Sequence, residues 1–244
     1  AMRQLDVPFA GLYGACSTMA EGLALAACFA ACGLADRAAA LTSSHFCTAE
    51  RQYRTPLTYG GKRTPTAQWT ATAAGAVLLT PTGRGPQVGA VCFGRVRDFD
   101  VTDINNMGAA MAPAAAETLL RFFARSGRRP EDYDAIYTGD LGFVGSRLLL
   151  EILQLEGLPL QNHQDCGLLL YDRARQQVKA GGSGAGCSAA VLAAHILPGL
   201  AKGQLHRVLL VSTGALMSQT TFLQGESIPG IAHLVELLAP DVPV

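Results

Sequence analysis

Two cysteines in this chain each follow glycines and open a segment rich in alanine and leucine. One is Cys16, in Gly11-Leu12-Tyr13-Gly14-Ala15-Cys16-Ser17-Thr18-Met19-Ala20-Glu21-Gly22; the other is Cys187, in Gly182-Ser183-Gly184-Ala185-Gly186-Cys187-Ser188. A thiol at the start of a helix meets unpaired N–H groups and the positive end of the macrodipole, which favour the nucleophilic thiolate. The same N–H groups suit a carboxylate. A small, inert core cysteine is the plainer alternative. His45 closes Thr42-Ser43-Ser44-His45 and enters a polar loop, Phe46 to Pro65, whose Arg51, Arg54, Lys62 and Arg63 either meet an acidic ligand or are simply solvated. Asp140, in Gly139-Asp140-Leu141-Gly142, follows an apolar run and so falls at the carboxyl end of a predicted strand, where open α/β sheets place ligands.

Other patterns carry less. Asp98, Asp100 and Asp103 lie close enough to hold calcium, but the EF-hand spacing and its closing glutamate are absent, and a connecting loop through Asn106 is the simpler account. Cys28 and Cys32 are one helical turn apart without a second pair to complete a zinc site. The stretch Gly182 to Ser188 lacks the lysine of a phosphate loop, and GxSxG fails at Ala185.

The elements that position these residues follow from periodicity. Val7 to Leu12 predicts a strand, with Ser17 or Thr18 capping a helix that runs from Cys16 to about Cys32 and is apolar nearly all round, as in a helix buried between layers. Ala35 to Ser44 predicts a buried strand. Gln68 to Thr80 and Val88 to Val96 predict a hairpin. Further on come a helix at Ala112 to Arg125, a strand at Tyr133 to Thr138, a helix at Val144 to Glu156, a hairpin around Cys166 to Tyr171, and strands at Val208 to Thr213 and Ser227 to Leu238. Setting Cys16 on Cys187 also pairs Ser17 with Ser188, Leu34 with Leu205 and Thr42 with Thr213. That register implies duplication at domain scale.

Composition bounds the function. The chain has 244 residues, 49% hydrophobic and 16% charged with zero net charge, which describes a well-buried α/β protein without a basic footprint for nucleic acid. Its cations are mostly arginine. Seven cysteines form no disulfide framework and suit thiols kept reduced. No apolar run approaches the roughly 20 residues that cross a bilayer, so a soluble or peripheral protein is expected.

A duplicated αβ unit with a cysteine heading a buried helix resembles the thiolase-like superfamily. Within it, Gly14-Ala15-Cys16-Ser17-Thr18, Thr42-Ser43-Ser44-His45, Arg51-Gln52-Tyr53-Arg54, Thr58-Tyr59-Gly60-Gly61, Met107 to Ala115, Thr138-Gly139-Asp140-Leu141, Asp165-Cys166-Gly167-Leu168-Leu169 and Ser212-Thr213-Gly214-Ala215-Leu216 are similar to the stage V sporulation protein AD family of spore-forming Firmicutes. The resemblance implies a layered αβαβα thiolase-like fold of two pseudo-duplicated halves, residues 1–98 and 99–244. The first half is expected to be incomplete, because family chains start upstream of Ala1, and so to expose apolar surface open to self-association or a partner. It also implies binding of dipicolinic acid, as free acid or calcium salt, and support of its uptake into the developing spore. Expected partners are membrane proteins of the same operon at the spore inner membrane, or a second copy in a homodimer. Condensing relatives pair the cysteine with a histidine and with an asparagine or second histidine; Gly139-Asp140 and Ser183 stand at those places here. The implied site is therefore Cys16, His45, Asp140, Ser183 and Cys187 around one cleft, with Asp98 and Asn106 at its rim and Asp140 and Asp98 able to hold a cation. The enzymatic alternative is an acyltransferase with Cys16 as nucleophile.

Overall fold

The computed structural model describes residues 2–47 and 63–243. In chain order the elements are α1 (Met2–Leu5), α2 (Thr18–Ala31), β1 (Ala38–Ser44), β2 (Trp69–Thr70), β3 (Ala73–Leu79), β4 (Gln87–Cys92), α3 (Met107–Ser126), β5 (Ala135–Thr138) and α4 (Gly142–Leu155). They continue with β6 (His163–Asp165), α5 (Cys166–Leu170), α6 (Arg173–Gln176), β7 (Gly182–Ser183), α7 (Ala185–Val191), α8 (Leu197–Ala201), β8 (Arg207–Ala215), α9 (Gln219–Leu223) and β9 (Gly230–Leu238).

Alternation along β8 shows how the layers form. Val208 and Leu210 pack into one core with Met19 and Leu23 of α2, Cys187 of α7 and Ala40 of β1. Leu209 and Val211, pointing the other way as successive strand residues must, join Leu119 of α3 and Leu149 of α4 in the second core. The order through the molecule is thus β1 and β3, then α2 and α7, then the large sheet, then α3 and α4. That sheet runs β4-β9-β8-β5-β6, with β5, β6 and β8 parallel and β9 reversed against both β8 and β4. Layers on both sides bury Met19, Ala20, Leu23, Ala24, Ala26 and Ala30 of α2, while Phe29 near its end stays exposed. The outer face of β1 and β3 is open: Leu41 and Leu78 are exposed, as are Val7 and Phe9.

The duplicated register has a structural counterpart. A helix following a glycine turn leads into a strand paired antiparallel with the next long strand, as α2–β1–β3 in one case and α7–β8–β9 in the other. Thr42 and Thr213, matched in sequence, occupy corresponding places on β1 and β8.

Several expected elements differ. Val7 to Leu12 forms no strand, since no ladder partner is present among the described residues. Gln68 to Thr80 is two strands: β2 pairs with β7, the chain then steps across at Ala71, and β3 pairs with β1. Nor does β4 form a hairpin with it, taking the sequence-distant β9 instead. Cys166 to Leu170 is a helical turn capped by the Asp165 carboxylate accepting from Leu168 N–H, a distinction that a five-residue apolar run cannot make by itself. Among the described residues no helix is long and apolar enough to cross a membrane.

The two repeats touch where β8 ends. A Cβ on Gly214 would run into the carbonyl of Gly14 and crowd Ser17, so this glycine allows β8 to press against the turn that carries Cys16. Gly214→Ala is expected to destabilise the protein by about 1–3 kcal/mol through overpacking against backbone. A urea unfolding midpoint equal to the wild type would contradict this close approach.

Candidate functional site

The site is built around Asp140, which lies just beyond the carboxyl end of β5 and is 1% exposed. Thr213 Oγ1 on β8 donates to its Oδ1 at 2.9 Å. Ser183 Oγ donates to Oδ2 at 2.8 Å, and Gly184 N–H at 2.9 Å. The Cys16 thiol is a further hydrogen-bond partner. Segments distant in sequence are thereby fastened to one carboxyl. Burial still outweighs these donors and raises the Asp140 pKa above the ordinary carboxylate value, despite hydrogen bonds from Gly184, Ser183, Cys16 and Thr213 that lower it. Gln68 secures the backbone beneath, its amide donating to the carbonyls of Asp140 at 2.6 Å and Gly182 at 3.0 Å.

The Cys16 turn is strained into place. Ala15 has φ 51°, a left-handed conformation that costs a non-glycine residue about 1–2 kcal/mol. Ser17 and Thr18 do not cap α2 as expected. Their hydroxyls donate backwards, Ser17 to the Gly14 carbonyl at 2.5 Å and Thr18 to that of Ala15 at 2.7 Å, which tightens the turn into a single 3-10 loop over Ala15–Ser17. Glu21 reaches back from the first turn of α2 to the Gly14 N–H. Burial raises the Glu21 pKa, and that bond partly offsets it.

A second buried carboxylate supports the first. Asp165, at the end of β6, accepts from Leu141 N–H at 2.9 Å, Gly142 N–H at 3.0 Å and Thr138 Oγ1 at 2.7 Å. It thus holds the start of α4 directly after Asp140. Thr138 Oγ1 also lies 2.9 Å from His163 Nε2, making a chain His163–Thr138–Asp165. Burial lifts the Asp165 pKa to about 6, with the nearby Asp140 adding to the rise, and burial lowers His163 to about 4.

Of the residues singled out in sequence, Cys16, Asp140 and Ser183 come together. Cys187 is fully buried in the core beside them, and desolvation pushes its thiol well above the usual range, so it is a packing residue near the site. His45 is exposed at the end of β1, its Nδ1 accepting from Cys47 N–H at 3.1 Å; its neighbour Ser44 accepts from Gly186 N–H at the start of α7. Asp98 is exposed and engaged elsewhere, accepting from Ser227 Oγ at 2.5 Å and from Asp100 N–H. Asn106 precedes α3, whose first turn packs against Leu141 at Gly108. Arg51, Tyr53, Arg54, Tyr59, Gly60, Gly61 and Lys62 lie outside the described residues. Among those described, no group of three or more His, Cys, Asp or Glu side chains is placed to hold a metal ion.

Thr213, Gln68, Asp165, Thr138 and His163 were missed as site residues. Thr213 carried a signal, because the duplication register places it against Thr42; Gln68 carried none, since its role depends on β2 pairing with β7.

A family model described as Stage V sporulation protein AD matches residues 1–238. The chain is 48% identical over 232 residues to Stage V sporulation protein AD of Bacillus subtilis, covering 95% of this chain and 68% of that protein. Among solved structures, 3-oxoacyl-[acyl-carrier-protein] synthase III from Aquifex aeolicus superposes with a TM-score of 0.51 at 12% identity, over 92% of this chain and 65% of its own. A variant of OleA from Xanthomonas campestris gives 0.59 at 13% identity, over 93% and 64%. The chain thus spans about two thirds of the proteins it matches, and its fold is thiolase-like.

Two measurements check the electrostatics. A carboxylate against a thiol disfavours the thiolate, so Asp140→Asn is expected to raise the iodoacetamide labelling rate of Cys16 by about three- to tenfold near neutral pH; an unchanged or slower rate contradicts the contact. The second concerns stability against pH. The raised Asp165 pKa removes stability as pH rises from its unfolded value of 3.8 to about 6. The lowered His163 pKa removes stability as pH falls from 6.5 to about 4. These trends oppose each other over the same window. Urea titrations are expected to show Asp165→Asn losing stability on acidification through that window and His163→Gln losing it as pH rises, relative to the wild type; identical pH profiles would contradict both shifts.

Proposed function

The chain belongs to the stage V sporulation protein AD family, and from that premise we propose that this sporulation protein binds dipicolinic acid on a thiolase-like scaffold and supports its uptake into the developing spore. The observation that carries the reading is the buried carboxyl of Asp140 beside Cys16 and Ser183. An acyl-transfer site needs a group that withdraws the thiol proton and donors free to meet a developing oxyanion. Here a carboxyl contacts the thiol, and Gly184 N–H and the hydroxyls of Ser183 and Thr213 already point at it. Such a centre favours binding over carbon–carbon bond formation.

Dipicolinate is a flat ring carrying two carboxylates. The raised Asp140 pKa lessens charge repulsion with such a ligand. Calcium bound to dipicolinate would reduce that repulsion further. Membrane proteins of the same operon are the proposed partners, at the inner membrane of the spore, and homodimerisation is part of the same reading.

One observation favours the alternative of a Cys16 acyltransferase: the strained Ala15 presents a half-buried thiol at a helix start. An acyl adduct on Cys16, seen by mass spectrometry after incubation with an acyl thioester, would establish it. For the binding reading, calorimetry of the purified protein with dipicolinate, with and without calcium, is expected to show saturable heat. Ser183→Ala, which removes one of the donors that hold the Asp140 carboxyl in place, is expected to weaken it by about tenfold. Absence of heat under both conditions would overturn the reading.

A further inference from the structure

We propose that the surface around Phe143 is a docking site for an acidic polypeptide segment. Phe143, in the first turn of α4, is 41% exposed. The guanidinium of Arg173 lies 4.3 Å from its ring centroid and that of Arg147 lies 5.8 Å away. Arg173 is also tied to the Lys179 carbonyl through Nε at 2.6 Å, which brings the backbone of this exposed lysine alongside.

The charges here are treated differently from arginines elsewhere in the protein. Arg95, Arg97 and Arg121 share the Glu117 carboxylate, and Arg128 and Arg207 share that of Glu236. Among the described residues Arg147, Arg173 and Lys179 have no carboxylate within ion-pair distance. Asp172, adjacent in sequence to Arg173, has its Oδ1 committed to the N–H groups of Ala174 and Arg175. The result is an exposed ring flanked by two arginines that have no ion-pair partner among the described residues.

The form of the cations selects the partner. An arginine stacked on an aromatic face has lost rotamer freedom, and its planar guanidinium still carries terminal N–H groups that suit a carboxylate. Anionic lipid would be met better by mobile lysines around several inserted apolar side chains. A segment with glutamates or aspartates flanking an apolar residue fits two forks and one ring. The surface also adjoins the site: Phe143 follows Asp140 by three positions, and its N–H donates to the Ala180 carbonyl at 2.7 Å, just before the Gly182–Ser183 strand. The proposal is independent of dipicolinate binding.

Fluorescence anisotropy of a labelled oligoglutamate peptide with the full chain, at about 50 mM salt where screening is weak, tests it. Binding by the wild type, weakened about tenfold by Arg147→Glu and about threefold by Phe143→Ala but unaltered by Arg95→Glu, is the expected pattern. Neither of the first two substitutions touches the Lys179 tether, and matched thermal melts exclude misfolding. Failure of the wild type to bind peptide, equal binding by Arg147→Glu, or binding only to phosphatidylglycerol vesicles would overturn the proposal. Dipicolinate calorimetry on the same variants stays unchanged, so failure here is separate from failure of the ligand reading.

Discussion

An ionisable carboxyl taken out of water is unfavourable by several kcal/mol unless donors are brought to it. Asp140 is buried, and its donors come from β7, the start of α7, β8 and the Cys16 turn. Each of those segments must arrive with its donor aimed inward, or the buried group is left unsatisfied. The constraint therefore runs from one side chain outward to both halves of the duplicated framework. It explains why Gln68, a buried amide just before β2, spends both of its donor bonds on the backbone around Asp140 and Ser183 instead of on side chains.

Asp165 extends the constraint by one layer. By accepting from Leu141 and Gly142 it fixes the direction in which the chain leaves Asp140, and through Thr138 it is linked to His163. Gly142 itself has φ 64°, and a Cβ there would meet the Ala180 carbonyl, so the exit from β5 is open only to a residue without a side chain. Two carboxyls buried close together resist simultaneous ionisation, which is why the presence of Asp140 contributes to the raised pKa of Asp165.

Local sequence signals read turns and burial better than they read strand pairing. The glycine-to-cysteine turns, the strand end before Asp140 and the buried face of α2 all depend on residues within a few positions of one another, and all were legible. Strand partners were not. Both β4 and β2 take partners from far along the chain, where neither periodicity nor turn residues carry information. For Asp98 the limit is similar: a loop rich in acceptors signals a turn, but not that its carboxylate would be taken by Ser227 and Asp100. Asp165 was visible only as a motif residue, because its role rests on β6 lying beside β5.

Duplication also explains why two similar cysteines have different fates. Both follow glycine turns and both begin helices in the central layer, yet Cys187 is sealed in the core while Cys16 is half-buried. At Cys187 the preceding residues, Ser183 and Gly184, take over the site and turn their donors to Asp140. At Cys16 the strained Ala15 instead brings the thiol itself to that carboxyl. Two copies of one motif, packed against each other, can present different atoms to a shared point only if their turns diverge. Ala15 and Gly184, both at positive φ, are where the backbone accommodates that divergence.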